Sequence, residues 1–224
     1  MNINFMISDC DGVIIDSEII AAGVMVDYLK AQGAHIDMQE YLRTWSGTTF
    51  TGIMKHFREN EGVHIPTNFL EDIEERLLIR NAKELKGIRG VKEAYESIPL
   101  PKACVSNSIS SHVRKAIEMV NLKDSFQDRV YSAVELVENP KPAPDIYLHA
   151  AQKEKVTPSE VVVIEDSRSG VNAAVAAGMT VIGFTGASHI LDGYGETLKN
   201  LGAHYVINDM SELPALVEQI GIFV

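Results

Sequence analysis

Cysteine is scarce in this chain, with only Cys10 and Cys104 among 224 residues. That excludes a disulfide framework and a cysteine-built zinc centre. Positive charge is also in short supply. Twenty Lys and Arg face 31 Asp and Glu, and the balance of −11 argues against nucleic acid and anionic membranes as partners. No apolar run approaches the ~18 residues of a membrane-spanning helix. The opening Met1-Asn2-Ile3-Asn4-Phe5-Met6-Ile7 has no basic flank and is soon followed by Asp9, so no secretory leader is expected. A reducing, cytoplasmic setting is therefore the default expectation. The seven histidines show no metal-ligand spacing.

What is present is ordinary globular material. Hydrophobic residues make up 46 % and charged residues 23 %, which excludes general disorder. The length suits one domain carrying an insert. Short continuous apolar runs recur at Ile3–Ile7, Ala103–Val105, Val161–Ile164, Thr180–Phe184 and Tyr205–Ile207. Such runs predict strands buried on both faces, as in a parallel sheet. Helical patterns alternate with them over Val113–Val120, Ser169–Ala177 (ended by Gly178) and Leu213–Ile220. The alternation predicts a doubly wound α/β fold.

One stretch departs from it. Residues 18–86 carry helical periodicity only, over Ile20–Ala31, Met38–Thr44, Thr51–Glu61 and Asn68–Leu85. The expected organisation is a core made of residues 1–17 and 87–224, with an all-helical domain of residues 18–86 inserted after the first strand.

Four strand-end segments carry chemistry. Asp9-Cys10-Asp11-Gly12 follows the first strand, where open α/β sheets place their ligands. Two carboxylates this close need a cation, hydrogen bonds or a shared proton, unless the segment is a simple Asp/Gly turn. Ser106-Asn107-Ser108 ends the second apolar run and opens a helix, so it reads as an anion site or a plain N-cap. Lys141 sits among Pro140, Pro142 and Pro144. It is either a stiffly held cation or a solvated loop lysine. Glu165-Asp166 ends a buried strand, which suits Mg²⁺ or a helix N-terminal acidic cluster. Together, carboxylate pair, hydroxyl, lysine and carboxylate pair form a kit for Mg²⁺-assisted phosphoryl transfer through an aspartyl-phosphate.

With these motifs in place, the chain resembles the haloacid dehalogenase superfamily, in the branch with a helical cap after the first strand. The resemblance rests on Asp9-Cys10-Asp11-Gly12-Val13, Val105-Ser106-Asn107-Ser108, Lys141-Pro142 with Pro144-Asp145-Ile146-Tyr147, and Ile164-Glu165-Asp166-Ser167. It extends over essentially the whole chain and points towards sugar-phosphate phosphatases and β-phosphoglucomutases. Ser8 stands where the family often has an aromatic residue.

The resemblance implies roles. Asp9 is the nucleophile, and Asp11 is the acid and then the base. Ser106, Asn107 and Lys141 hold the phosphate. Mg²⁺ is held by Asp9, the main-chain carbonyl of Asp11, Asp166 and, directly or through water, Glu165. Asp11 favours phosphate esters, because a leaving alkoxide needs a proton. In the cap, Trp45–Phe50 is expected to face the substrate, with Gly47 and Thr48 suited to a polyol. A mutase would need cationic or imidazole grips at positions that hold Ala21 and Phe50 here, so hydrolysis is expected over mutase activity. A phosphoacceptor signalling domain, the non-enzyme rival, would be shorter and lack the insert. The expected partner is a small phosphorylated substrate such as a sugar phosphate or a 6-phosphogluconate-like acid, and the expected state is a monomer.

Overall fold

The computed structural model describes residues 2–221. Six strands form one sheet: β1 (Phe5–Ser8), β2 (Lys102–Ser106), β3 (Val130–Ser132), β4 (Val161–Glu165), β5 (Thr180–Phe184) and β6 (Tyr205–Ile207). Their order is β3-β2-β1-β4-β5-β6, and every pairing is parallel. The doubly wound fold expected from the apolar runs is what the chain adopts. The edge strand β3 is the one strand without a sequence forecast. Only Val130 and Tyr131 of its three residues are apolar, which is too few to make a run.

Among the described residues, twelve α-helices accompany the strands. The helical stretch after β1 holds four: α1 (Glu18–Ala31), α2 (Met38–Thr44), α3 (Phe50–Asn60) and α4 (Phe69–Glu84). The others are α5 (Val91–Ser97), α6 (Ser110–Met119), α7 (Lys123–Phe126), α8 (Ala133–Leu136), α9 (Asp145–Glu154), α10 (Arg168–Ala176), α11 (Tyr194–Asn200) and α12 (Leu213–Ile220).

The chain divides into two compact units. One comprises the chain through Ile15, Gly87–Ala187 and everything from Asp192 on; the other comprises Asp16–Lys86 with Ser188–Leu191.

In the sheet unit, Ile7, Val105 and Val163 point to one face and pack with Ile146, Tyr147 and Ala150 of α9 and Val171 and Ala174 of α10. Burying one such Val or Ile side chain contributes roughly 1.5–3 kcal/mol. The small residues of α10 let that helix lie close to the strands. Gly178 ends it with a φ of 77°, a conformation natural only to glycine. Strand β1 is central, with β2 on one side and β4 on the other. Chain direction therefore diverges at the carboxyl ends of β1, β2 and β4, which is where such sheets form their clefts.

In the helical unit, the described residues form no strand. Its core joins Val24, Met25, Tyr28 and Leu29 of α1 with Tyr41, Ile53, Phe57 and Ile73 of the later helices. Asp37 and Thr49 cap α2 and α3 by accepting from Glu40 N and Gly52 N.

Candidate active site

The loop after β1 turns sharply at Gly12, whose φ is 79°. The main chain then doubles back, with Gly12 N donating to Ile15 O at 2.8 Å. This turn leaves Asp9 buried and Asp11 about one-fifth exposed.

Lys141 is the hub of the site. It follows β3 and α8, its peptide to Pro142 is cis, and its ammonium is buried. Nζ donates to Asp9 Oδ1 at 2.6 Å, Glu165 Oε1 at 2.6 Å and Val105 O at 3.0 Å. Its three protons thus meet three acceptors. The solvated-loop reading of this lysine does not survive. Burial works against the charge, but Asp9 and Glu165 outweigh it and hold the ammonium protonated well beyond its ordinary range. Asp9 is pushed the other way for a carboxyl. Burial first, then the nearby Glu165, raise it well above the usual carboxylate range.

Glu165 is wholly buried, and both of its oxygens are engaged. Oε1 also accepts from Tyr147 Oη at 2.8 Å, while Oε2 accepts from Ser167 N at 3.2 Å and Ser167 Oγ at 3.0 Å. Asp166, also buried, completes a group with Asp9 and Glu165 whose ligand atoms lie within 4.8 Å of one another. Three carboxylates against one ammonium leave two negative charges in a buried site. All donors are oxygen. That set fits a hard divalent cation, whose charge would relieve the repulsion that raises Asp9.

The segment after β2 supplies hydroxyls. Ser106 Oγ accepts from Ser108 N at 2.9 Å and lies 3.5 Å from Asp11 Oδ2. Ser108 Oγ donates to the same Oδ2 at 2.7 Å. Asn107 grips the Lys141 backbone from both sides: its Nδ2 donates to Lys141 O at 3.2 Å and its Oδ1 accepts from Lys141 N at 3.1 Å. The Asn107 side chain therefore tethers the lysine loop.

Two partners have no signal in the sequence. His112 of α6 places Nε2 3.3 Å from Asp11 Oδ1, and the hydrogen bond to Asp11 raises its pKa. Tyr95 of α5 places Oη 2.6 Å from Ser8 Oγ, and Ser8 Oγ donates to Asp9 O at 2.5 Å. A contact between residues 87 or more positions apart leaves no local pattern to read. Ser8, in the place of a frequent aromatic, thus receives an aromatic ring from another element.

Gly47 and Thr48 lie in the helical unit, in the exposed turn between α2 and α3, and not in the unit that holds the cluster above. Gly47 has a φ of 78°, and Thr48 N donates to Trp45 O at 3.0 Å. Trp45 itself packs edge-on to His56 at 4.6 Å and against the helical core.

A parallel sheet here gathers a buried carboxylate–ammonium cluster and hydroxyls at its strand ends, and the family whose model the chain matches is one of hydrolase enzymes. The chain belongs to the haloacid dehalogenase-like hydrolases, whose family model matches residues 6–184. It is 26 % identical over 182 residues to a 6-phosphogluconate phosphatase of Escherichia coli K12, covering 81 % of this chain and 82 % of that one. It is 29 % identical over 216 residues to a phosphorylated carbohydrates phosphatase of Thermotoga maritima, covering 95 % and 98 %. Among solved structures, a conserved haloacid dehalogenase-like protein of unknown function from Agrobacterium tumefaciens superposes with a TM-score of 0.92 at 38 % identity, covering 98 % and 99 %.

Proposed function

We propose that this chain is a Mg²⁺-dependent phosphatase of small phosphomonoesters, acting through an aspartyl-phosphate on Asp9. The observation that carries the reading is Lys141 Nζ, held 2.6 Å from both Asp9 and Glu165 beside Asp166. A carboxylate kept next to a fixed cation is poised to meet a second anion, the phosphoryl group.

In the first step an oxygen of Asp9 attacks phosphorus, and the bond from phosphorus to the alcohol oxygen breaks. Asp11 gives its proton to that oxygen. In the second step a water attacks the phosphorus of the aspartyl-phosphate. Asp11 takes the water's proton, the phosphorus–Asp9 bond breaks, and inorganic phosphate leaves. One group serves as acid and then as base. Ser106 and Lys141 hold the phosphoryl oxygens throughout. Asn107 keeps Lys141 in place through its main chain, and Glu165 keeps the ammonium aimed.

Asp9, Asp166 and the main-chain carbonyl of Asp11 are the proposed Mg²⁺ ligands, with Glu165 adding negative charge next to them. When bound, the ion supplies charge neutralisation to the phosphoryl oxygens. The substrate class, a sugar phosphate or a related phosphorylated acid, is supported by the two phosphatase relatives. The Gly47–Thr48 turn is proposed to read the alcohol portion, through its exposed hydroxyl and main chain.

The test is phosphate release from a panel of sugar phosphates with MgCl₂. Wild type is expected to turn over, and EDTA is expected to stop it. Asp9→Asn should lose at least about a thousandfold in kcat, the scale of removing a covalent nucleophile, with an unchanged circular dichroism spectrum. Wild-type rates in Asp9→Asn would overturn the assignment.

A further inference from the structure

Asp11 must present one carboxyl oxygen to a departing alkoxide and later to a water. Its side chain has two rotatable bonds, so fixing the plane of the carboxyl takes hydrogen-bond partners. The structure supplies that fixing from elsewhere. Ser108 Oγ holds Oδ2 at 2.7 Å, and His112 Nε2 faces Oδ1 at 3.3 Å. Both oxygens are thus gripped from a single element, the segment leading into α6 and its first turn. That element is itself anchored, because Ser110 N donates to Glu135 Oε1 of α8 at 3.0 Å. His112 is about one-third exposed, which is too open for a packing role.

We propose that His112, together with Ser108, is a positioning residue for Asp11: the pair sets the plane of the carboxyl that protonates the leaving alcohol. The proposal rests on the phosphatase reading and extends it to His112, which belongs to no motif, and to Ser108 at the end of the Val105–Ser108 segment. Ser106 joins the two halves of the site. Its hydroxyl lies 3.5 Å from Asp11 Oδ2 and accepts from Ser108 N, so the group that receives the phosphate also borders the acid.

Leaving-group dependence separates this role from general damage. A nitrophenolate departs unaided, whereas phenolate and sugar alkoxides need the proton. The experiment follows the burst of released alcohol, which reports phosphorylation of Asp9, for 4-nitrophenyl phosphate, phenyl phosphate and glucose 6-phosphate. His112→Ala and Ser108→Ala should each keep the 4-nitrophenyl burst within about twofold. The same variants should slow the phenyl and glucose esters by on the order of tenfold or more, part of the ~10²–10⁴ that a positioned acid contributes. His112→Gln, whose amide N–H can take the place of Nε2, should recover most of the loss. An equal loss across the three esters, or no loss in any, would overturn the proposal. Absence of turnover by wild type on every ester would instead overturn the phosphatase reading, and this inference with it.

Discussion

Gly170 lacks a side chain at a point where none would fit. A Cβ there would lie 1.8 Å from Glu165 Oε1 and 1.9 Å from its Cδ. The first turn of α10 is therefore cut away at one position to admit the carboxylate that holds Lys141. Gly170→Ala must push Glu165 aside, and with it the ammonium. A displacement of about 1 Å at a reacting centre costs on the order of 100-fold in rate, and overpacking costs about 1–3 kcal/mol. Both are expected, measured as kcat and as the urea midpoint, and a variant with wild-type kcat would show that Glu165 does not position Lys141. Tyr95→Phe is a milder case. It removes one buried hydroxyl from Ser8, which retains Asp9 O, so a loss of about 1 kcal/mol in urea unfolding is expected. At this scale, legibility follows sequence distance. Asp9, Ser106, Lys141 and Glu165 could be picked out because each closes an apolar run or sits among prolines. His112 and Tyr95 could not, because what matters about them is a partner far along the chain; Ser108 stood in a visible segment, but its bond to Asp11 was not legible there.

At the scale of elements, the same residue often ends one structure and supports the site. Ser167 is the N-cap of α10, accepting from Gly170 N at 3.0 Å, and its hydroxyl also donates to Glu165. Ser167→Ala is expected to cost about 1 kcal/mol as a lost cap, and to lower turnover because Glu165 Oε2 loses a donor. Guanidine unfolding and steady-state kinetics on one preparation check both, and an effect on stability alone would confine Ser167 to capping. Most of the strands with forecasts have four or five buried residues, such as β4 with Val-Val-Val-Ile-Glu, and the exception, β6, is apolar at all three of its positions. Strand β3 offers a single hydrophobic pair and is fixed by its pairing with β2, from Cys104↔Val130 to Ser106↔Ser132. Helix α9 went unforecast for another reason. Its buried Ile146, Tyr147, Ala150 and Ala151 are diluted by small residues, and its start was absorbed into the proline-rich segment around Lys141.

Across the whole molecule, charge is arranged unevenly. A chain of net charge −11 can still receive an anion, because Lys141 and a divalent cation would cancel the negative charge at one place. The same acidity shapes the pH response of the fold through a buried histidine outside the site. His189 belongs to the short segment Ser188–Leu191 that clusters with the helical unit. Burial lowers its pKa to about 4, although the Asp16 carboxylate, which accepts from Ser188 N at 3.1 Å, pulls the other way. The unfolded chain takes up this proton near pH 6.5, but the folded chain holds it off until about pH 4. Stability from His189 is therefore complete above pH 6.5 and drains away as pH falls towards 4. The shift of 6.5 − 4 = 2.5 pH units corresponds to about 3 kcal/mol over that window. A His189→Asn variant lacks the titration, so its urea midpoint should fall less steeply than wild type between pH 7 and 4.5, with the two curves converging as the pH drops. Parallel curves over that range would show that His189 titrates alike in the folded and unfolded chain, and the acid sensitivity would then belong to the carboxylates alone.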